Sequence, residues 1–136
     1  MNFKDVTIKD KTYRIGEFTP KVGGFITSQL LPLLLKHATP EAGISLGMFF
    51  QVLPDIPEAI YYKIVDYSLA LCCEYNEQKM PIPVIMPNGA WVSKHLENDT
   101  VGVMALVVAV LMHNLQPFFS DGGLQTILKV TQDSSL

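Results

Sequence analysis

The chain has 136 residues, of which 49% are apolar and only 17% are charged, and its net charge at pH 7 is −3. This composition excludes a mainly disordered chain, which needs low hydrophobicity and high charge. A single arginine, Arg14, and the lack of a basic stripe argue against a nucleic-acid binder. The length fits one domain that can build a core without metal or disulfides.

The N-terminal residues 3–15 predict a β-hairpin. Apolar and polar residues alternate over residues 5–8 and again over residues 12–15, and the polar residues 9–11 between them suit a turn. An isolated two-stranded hairpin is marginally stable in water, so we expect it to pack on the rest of the chain.

Thr19 and Pro20 predict the start of a first helix. Threonine can accept a backbone N–H as N-cap, and proline suits the first helical position. The helix continues through the mostly apolar residues 25–35. Pro32 lies inside this run and removes a helical hydrogen bond, so we expect a kink or break there.

Two further helices follow in the middle of the chain. Thr39, which precedes a proline, opens a second helix that ends before Pro54. Asp55 with Glu58 three residues later is similar to a capping box, and it predicts a third, amphipathic helix that runs to about Tyr75.

The two cysteines, Cys72 and Cys73, would lie near the end of that third helix. Neighbours on a helix point about 100° apart, so the pair does not favour a disulfide. The chain has no other cysteine and therefore no zinc-type spacing. We interpret both as core residues of a protein in a reducing compartment.

Residues 78–98 contain prolines and an Asn88-Gly89 pair, which are typical of loops and turns. A short second hairpin is predicted here, with strands at 82–86 and 90–92 on either side of the turn. Pro83 would confine the first of these strands to a sheet edge.

A fourth helix is predicted to begin at Asp99-Thr100 and to stop or kink at Pro117. It is apolar on every side, which indicates burial on every side. Its most apolar stretch covers only residues 101–112, whereas a membrane span needs about 20 residues. We therefore predict a core helix and no membrane.

These elements predict a mainly α protein of the α+β class, with an N-terminal β-hairpin packed on a bundle of four to five helices. The predicted organisation is a single domain over residues 1–136. The hairpin occupies residues 1–18 and the helical part residues 19–128, with a last helical turn at 124–128 and a frayed tail at 129–136.

The sequence offers one candidate catalytic motif. Residues 43–47 match the G-x-S-x-G nucleophile elbow, with Ser45 as nucleophile. The strand that should precede such an elbow is missing, so a small serine hydrolase is a remote alternative. His37, His95 and His113 lack metal-ligand spacing. We expect no catalytic residue, no metal and no cofactor.

Three aromatic residues on irregular segments are the candidate partner-binding residues: Trp91, Phe118 and Phe119. Aromatic side chains are enriched where partners bind. The same residues could instead close the core, and the sequence leaves both possibilities open.

Several short motifs occur in an order that resembles the tail assembly chaperones of tailed bacteriophages. These motifs are KTYRIG at residues 11–16, TP at 19–20, NGAW at 88–91, NL at 114–115 and FF at 118–119.

The resemblance implies a non-enzymatic protein that binds the long tape measure protein and keeps it soluble in the host bacterial cytoplasm. Tail tube subunits would then displace it, so it would be absent from the mature virion. A homo-oligomer is also expected, because the chain has more apolar surface than one core needs. The alternative is a helical structural or oligomerising phage or bacterial protein without a client.

Overall fold

A computed structural model describes residues 2–37, 46–120 and 129 of the chain. The described elements are, in chain order, β1 (Lys4–Ile8), β2 (Lys11–Ile15), α1 (Pro20–Leu34), α2 (Leu46–Val52), α3 (Glu58–Leu69), β3 (Cys72–Tyr75), β4 (Pro81–Pro83), α4 (Thr100–Leu115) and α5 (Pro117–Ser120). Short 3-10 turns lie at Leu53–Asp55 and Lys94–Leu96. The predicted α+β class with an N-terminal hairpin is confirmed.

Some predictions fall on residues outside the described ranges. They are the helix start at Thr39, the elbow serine Ser45, the last helical turn at 124–128 and nearly all of the tail at 129–136.

The predicted hairpin is present and has a two-residue turn. Lys9 and Asp10 both have positive φ, 50° and 68°, as a type I′ turn requires. Ile8 pairs with Lys11 next to the turn, and Lys4 pairs with Ile15 at the open end. The twist of this turn type matches that of the strands, so the hairpin keeps a fixed register.

The sheet is larger than the sequence predicts. β3 pairs antiparallel with β2, and β4 pairs antiparallel with β3, in the order β1-β2-β3-β4. The predicted helix to Tyr75 is therefore wrong, because α3 ends at Leu69. Cys72 and Cys73 lie on a strand, opposite Ile15 and Arg14. A hairpin alone leaves the N–H and C=O groups on the outer side of β2 without hydrogen-bond partners. β3 provides these partners.

The predicted capping box is also wrong. Pro57 is the N-cap of α3 and makes no side-chain capping bond, while Asp55 belongs to the preceding 3-10 turn. Ile56 is extended, with φ −92° and ψ 127°, because a residue before proline is driven away from helical geometry. Glu58 instead accepts a hydrogen bond from the Tyr62 hydroxyl at 2.8 Å.

The start of α1 is as predicted. Thr19 Oγ1 accepts the Val22 backbone N–H at 3.4 Å, and Pro20 occupies the first turn. The helix is not broken at Pro32; it continues through that residue to end at Leu34. Pro32 has no N–H to donate within the helix, and only Leu33 and Leu34 follow it in α1.

α4 is buried on two sides, but the prediction of burial on every side is wrong, because Val101 is 66% exposed and Ala105 and Ala109 are only half-buried. Leu106 and Val110 belong to the core under the sheet. Val107 and Leu111 belong to a second core formed with α1, α2 and α3. The stretch Thr100–Phe119 has a mean hydropathy of 1.7 and passes a length test for a membrane helix. A buried core helix passes the same test, so this property alone does not indicate a membrane.

The second predicted hairpin is present in reduced form. β4 covers only Pro81–Pro83, and beyond it Ile85 and Trp91 form one isolated antiparallel bridge. Gly89 has a φ of 89° in the turn between them, which favours glycine. β4 is an edge strand, as the position of Pro83 predicts.

One buried hydroxyl in α3 provides a test of the packing. Ser68 is fully buried, and its Oγ has no hydrogen-bond partner among the described residues. A buried polar group without a partner is destabilising.

We expect Ser68→Ala to raise the free energy of urea unfolding by up to about 1 kcal/mol. Ser28→Ala, at an exposed hydroxyl bonded to the Phe25 carbonyl, should stay within about 0.5 kcal/mol of wild type. A clear loss of stability in Ser68→Ala would show that the hydroxyl is satisfied.

The cap of α4 also ties the hairpin turn to the helix. Asp99 Oδ1 accepts the Gly102 N–H at 3.0 Å and pairs with Lys9 Nζ at 2.8 Å. The hydrogen bond from Lys9, followed by that from Gly102, holds the pKa of Asp99 below its ordinary 3.8. This lower pKa in the folded state means that the ionised carboxylate stabilises the fold above pH 3.8. The contribution is lost as the pH falls through the folded value.

Asp99→Asn tests this pH dependence, because an amide oxygen can still cap α4 but does not titrate. We expect the urea midpoint of wild type to fall more steeply than that of Asp99→Asn between about pH 5 and about pH 2.5. Equal slopes for the two proteins would contradict the role assigned to this carboxylate.

Candidate partner-binding surface

Phe118 and Phe119 lie on α5, which begins at Pro117 directly after α4. Both rings are half-buried and pack against the core formed by α1, α2, α3 and α4. The structure therefore gives both residues a packing role. Phe118 differs from Phe119 because it also lines an open groove.

This groove, the α1–α5 groove, has a volume of about 560 Å³ and runs along α1 to the end of α4. None of the described residues that line it carries a charge. They are Phe18, Thr19, Pro20, Gly23, Gly24, Ile26, Thr27, Ser28, Leu31, Pro32, Leu35, Asn114, Leu115 and Phe118. Leu35 at its end is 41% exposed. An uncharged, mostly apolar groove is suited to apolar side chains of a partner.

Asn114 holds the wall of the α1–α5 groove in place. Its Oδ1 accepts the Phe18 N–H at 2.9 Å, and its Nδ2 donates to the carbonyls of Gly16 and Val110 at 3.1 and 2.8 Å. These bonds fix the β2–α1 connection to α4. The sequence analysis named Asn114 only as part of a short motif. A polar amide side chain in a mostly apolar helix was the feature that could have indicated its role.

Trp91 lies on a different part of the surface. It is half-buried against the core under the sheet. Its ring lines a smaller cleft of about 260 Å³ with Tyr61, Tyr62 and Met104 among others. The structure thus brings Phe118 to one groove and Trp91 to another cleft. The three aromatic candidates do not form a single site.

A second groove, the α3–β4 groove, has a volume of about 730 Å³ and was missed by the sequence reasoning. It lies between α3 and the segment that follows β4. Its described lining residues are Asp66, Ala70, Pro83, Ile85, Met86, Pro87, Asn88, Gly89 and Val92. Met86 is 50% exposed and Val92 is 40% exposed. The Asn88-Gly89 pair was the one available sequence signal, and it indicated only a turn.

The titratable groups do not assemble a recognisable catalytic site in the described part of the chain. Glu74 on the inner strand β3 pairs with His95, and its carboxylate lies 3.9 Å from Lys11 Nζ. Burial, with a smaller effect of Cys73, raises the pKa of Cys72 to about 12, so its thiol stays protonated and unreactive. No group of three or more His, Cys, Asp and Glu that could hold a metal occurs among the described residues.

Comparison with known proteins gives the family. A family model described as phage tail assembly chaperone protein, TAC, matches residues 9–125, which is most of the chain. The chain therefore belongs to the phage tail assembly chaperone family, and the family resemblance noted in the sequence is confirmed. No curated protein matches the chain, and no solved structure matches it. Membership implies phage tail proteins as partners.

Truncation of the two phenylalanines tests their packing against the core. Phe119→Ala should lower the free energy of unfolding by about 1–3 kcal/mol, less than the ~3–5 kcal/mol of a fully buried Phe, because the ring is half-buried. Phe118→Ala should show a loss of the same order. Urea unfolding checks both values. Unchanged stability in both variants would contradict the packing seen here.

Proposed function

We propose that this tail assembly chaperone binds the tape measure protein and keeps it soluble in the host cytoplasm until the tail tube assembles. In this proposal it acts without catalysis and leaves before the virion is complete. Family membership over residues 9–125 supports the chaperone role. The α1–α5 groove supports the chemistry, since it offers an uncharged surface next to Phe118.

The α1–α5 groove would act by covering apolar side chains of the client. Burial of apolar surface stabilises a complex by about 25 cal/mol per Å², before the cost of association is subtracted. A client segment without charges matches a groove whose described lining has none. We propose an apolar, helix-forming segment of the tape measure protein as the occupant, with Phe118 as an anchor.

Co-expression tests the function directly. The tape measure protein of the same phage is expressed with and without this chain, and its soluble fraction and co-elution are measured. The proposal expects a soluble complex with the chain and aggregated tape measure protein without it. Equal solubility in both cases, with no complex on size-exclusion chromatography, would overturn the proposal and favour a structural protein without a client.

A charge placed in the α1–α5 groove tests where the client binds. Ser28 is an exposed lining residue of this groove, so Ser28→Glu adds a charge without filling the core. We expect it to reduce the yield of soluble complex at least about fivefold, because an apolar segment would have to desolvate the carboxylate. Gln51→Glu adds the same charge at an exposed residue outside the described lining and should leave the yield unchanged. Equal yields from the two variants would place the binding site elsewhere.

A further inference from the structure

We propose that the α3–β4 groove is a second client site, which takes an amphipathic helix with a Lys or Arg beside its apolar stripe. This inference rests on the proposed chaperone function. Three features of the groove support it: a sheet edge closed to strand addition, a preformed apolar wall, and one acidic group.

The outer edge of β4 lacks the backbone donors that an added strand would use. Val84 N donates to Cys72 O at 3.1 Å, and Asn76 N donates to Met80 O at 3.0 Å. Ile82, midway between these two bonded pairs, is opposite Glu74. In an antiparallel ladder the bonded residues alternate, so Met80 O, Val84 N and the backbone groups of Ile82 point towards β3.

Pro81 and Pro83 therefore occupy the positions that face away from β3. Neither has a backbone N–H, so β4 offers no donor at these two positions to an added strand. Proline at such positions protects an edge from pairing with another chain. This edge therefore favours a partner that binds through side chains, as a helix in a groove does.

The apolar wall of the groove is held in shape by its own turn. Met86 N donates to Ala90 O, and Gly89 N donates to Met86 O, both at 2.8 Å. Ala90 N donates to Asn88 Oδ1 at 3.0 Å. The turn thus fixes the backbone of Met86, whose half-exposed thioether can adapt to differently shaped partner side chains.

Asp66 gives the α3–β4 groove a negative charge. It is exposed on α3, and it is the one charged residue in the described lining. Its carboxylate makes no ion pair with any residue in the described ranges. A basic residue beside the apolar stripe of a bound helix would pair with this carboxylate, so charge complementarity selects a helix that carries Lys or Arg.

The test uses overlapping fluorescent peptides of the tape measure protein and the full chain, with affinity measured by anisotropy. We expect at least one helix-forming peptide with a Lys or Arg to bind, and Asp66→Lys to weaken it about tenfold. Asp55→Lys makes the same charge change at an exposed residue outside the described lining and should have no effect. A Lys→Asp change in the peptide should restore binding to Asp66→Lys.

A second pair of variants tests the apolar wall. Met86→Glu should weaken the same peptide about tenfold, whereas Met80→Glu should not, because Met80 is 58% exposed but lies outside the described lining. The inference would be overturned if the groove variant and its control weakened peptide binding equally in either pair. It would also be overturned if the peptide still bound to both Asp66→Lys and Met86→Glu.

Two other outcomes would also overturn this inference. If Met86→Glu lowers the molar mass of the isolated chain in light scattering, the groove is an interface between copies of the chain. If the wild-type chain keeps the tape measure protein soluble but none of the peptides depends on Asp66, the chaperone function stands and this site is wrong. Failure of the co-expression experiment itself would instead remove the chaperone function.

Discussion

The structure depends on the burial of α4 between two layers. One side of this helix packs under the four-stranded sheet, and the other packs against α1, α2 and α3. Leu106 and Leu111 are fully buried on these two sides. A helix without a polar face is stabilised by apolar partners on both of these sides, so the sheet and the helical layer are held together by α4.

Polar side chains at both ends of α4 position what surrounds it. Asp99 caps the first turn and pairs with Lys9 in the hairpin turn. Asn114 near the other end bonds Phe18 and Gly16, which lie in the connection between β2 and α1. Hydrogen bonds are directional, so they fix orientations that apolar burial leaves free. The wall of the α1–α5 groove is set by the Asn114 contacts.

The surface combines exposed apolar grooves with a protected sheet edge, and the two properties suit a chaperone of the tail assembly family. The proposed function requires exposed apolar surface that does not itself pair into an aggregate. The α1–α5 groove supplies uncharged surface. Pro81 and Pro83, at the outward positions of β4, remove the donors that an aggregating strand would use.

Local patterns in the sequence determined the parts of the fold that short-range physics controls. The hairpin at residues 3–15, the Thr19 cap, the Asn88-Gly89 turn and the role of α4 as a core helix depend on neighbouring residues, and each was predicted. The ordered motifs gave the family as well. Tertiary structure alone decided the end of α3, because residues 72–75 have a helix-like pattern but pair with β2, whose edge needs a partner. The tertiary structure also determined the α1–α5 and α3–β4 grooves, because each is lined by elements that are distant in the chain. No spacing in the sequence reveals which side chains meet there.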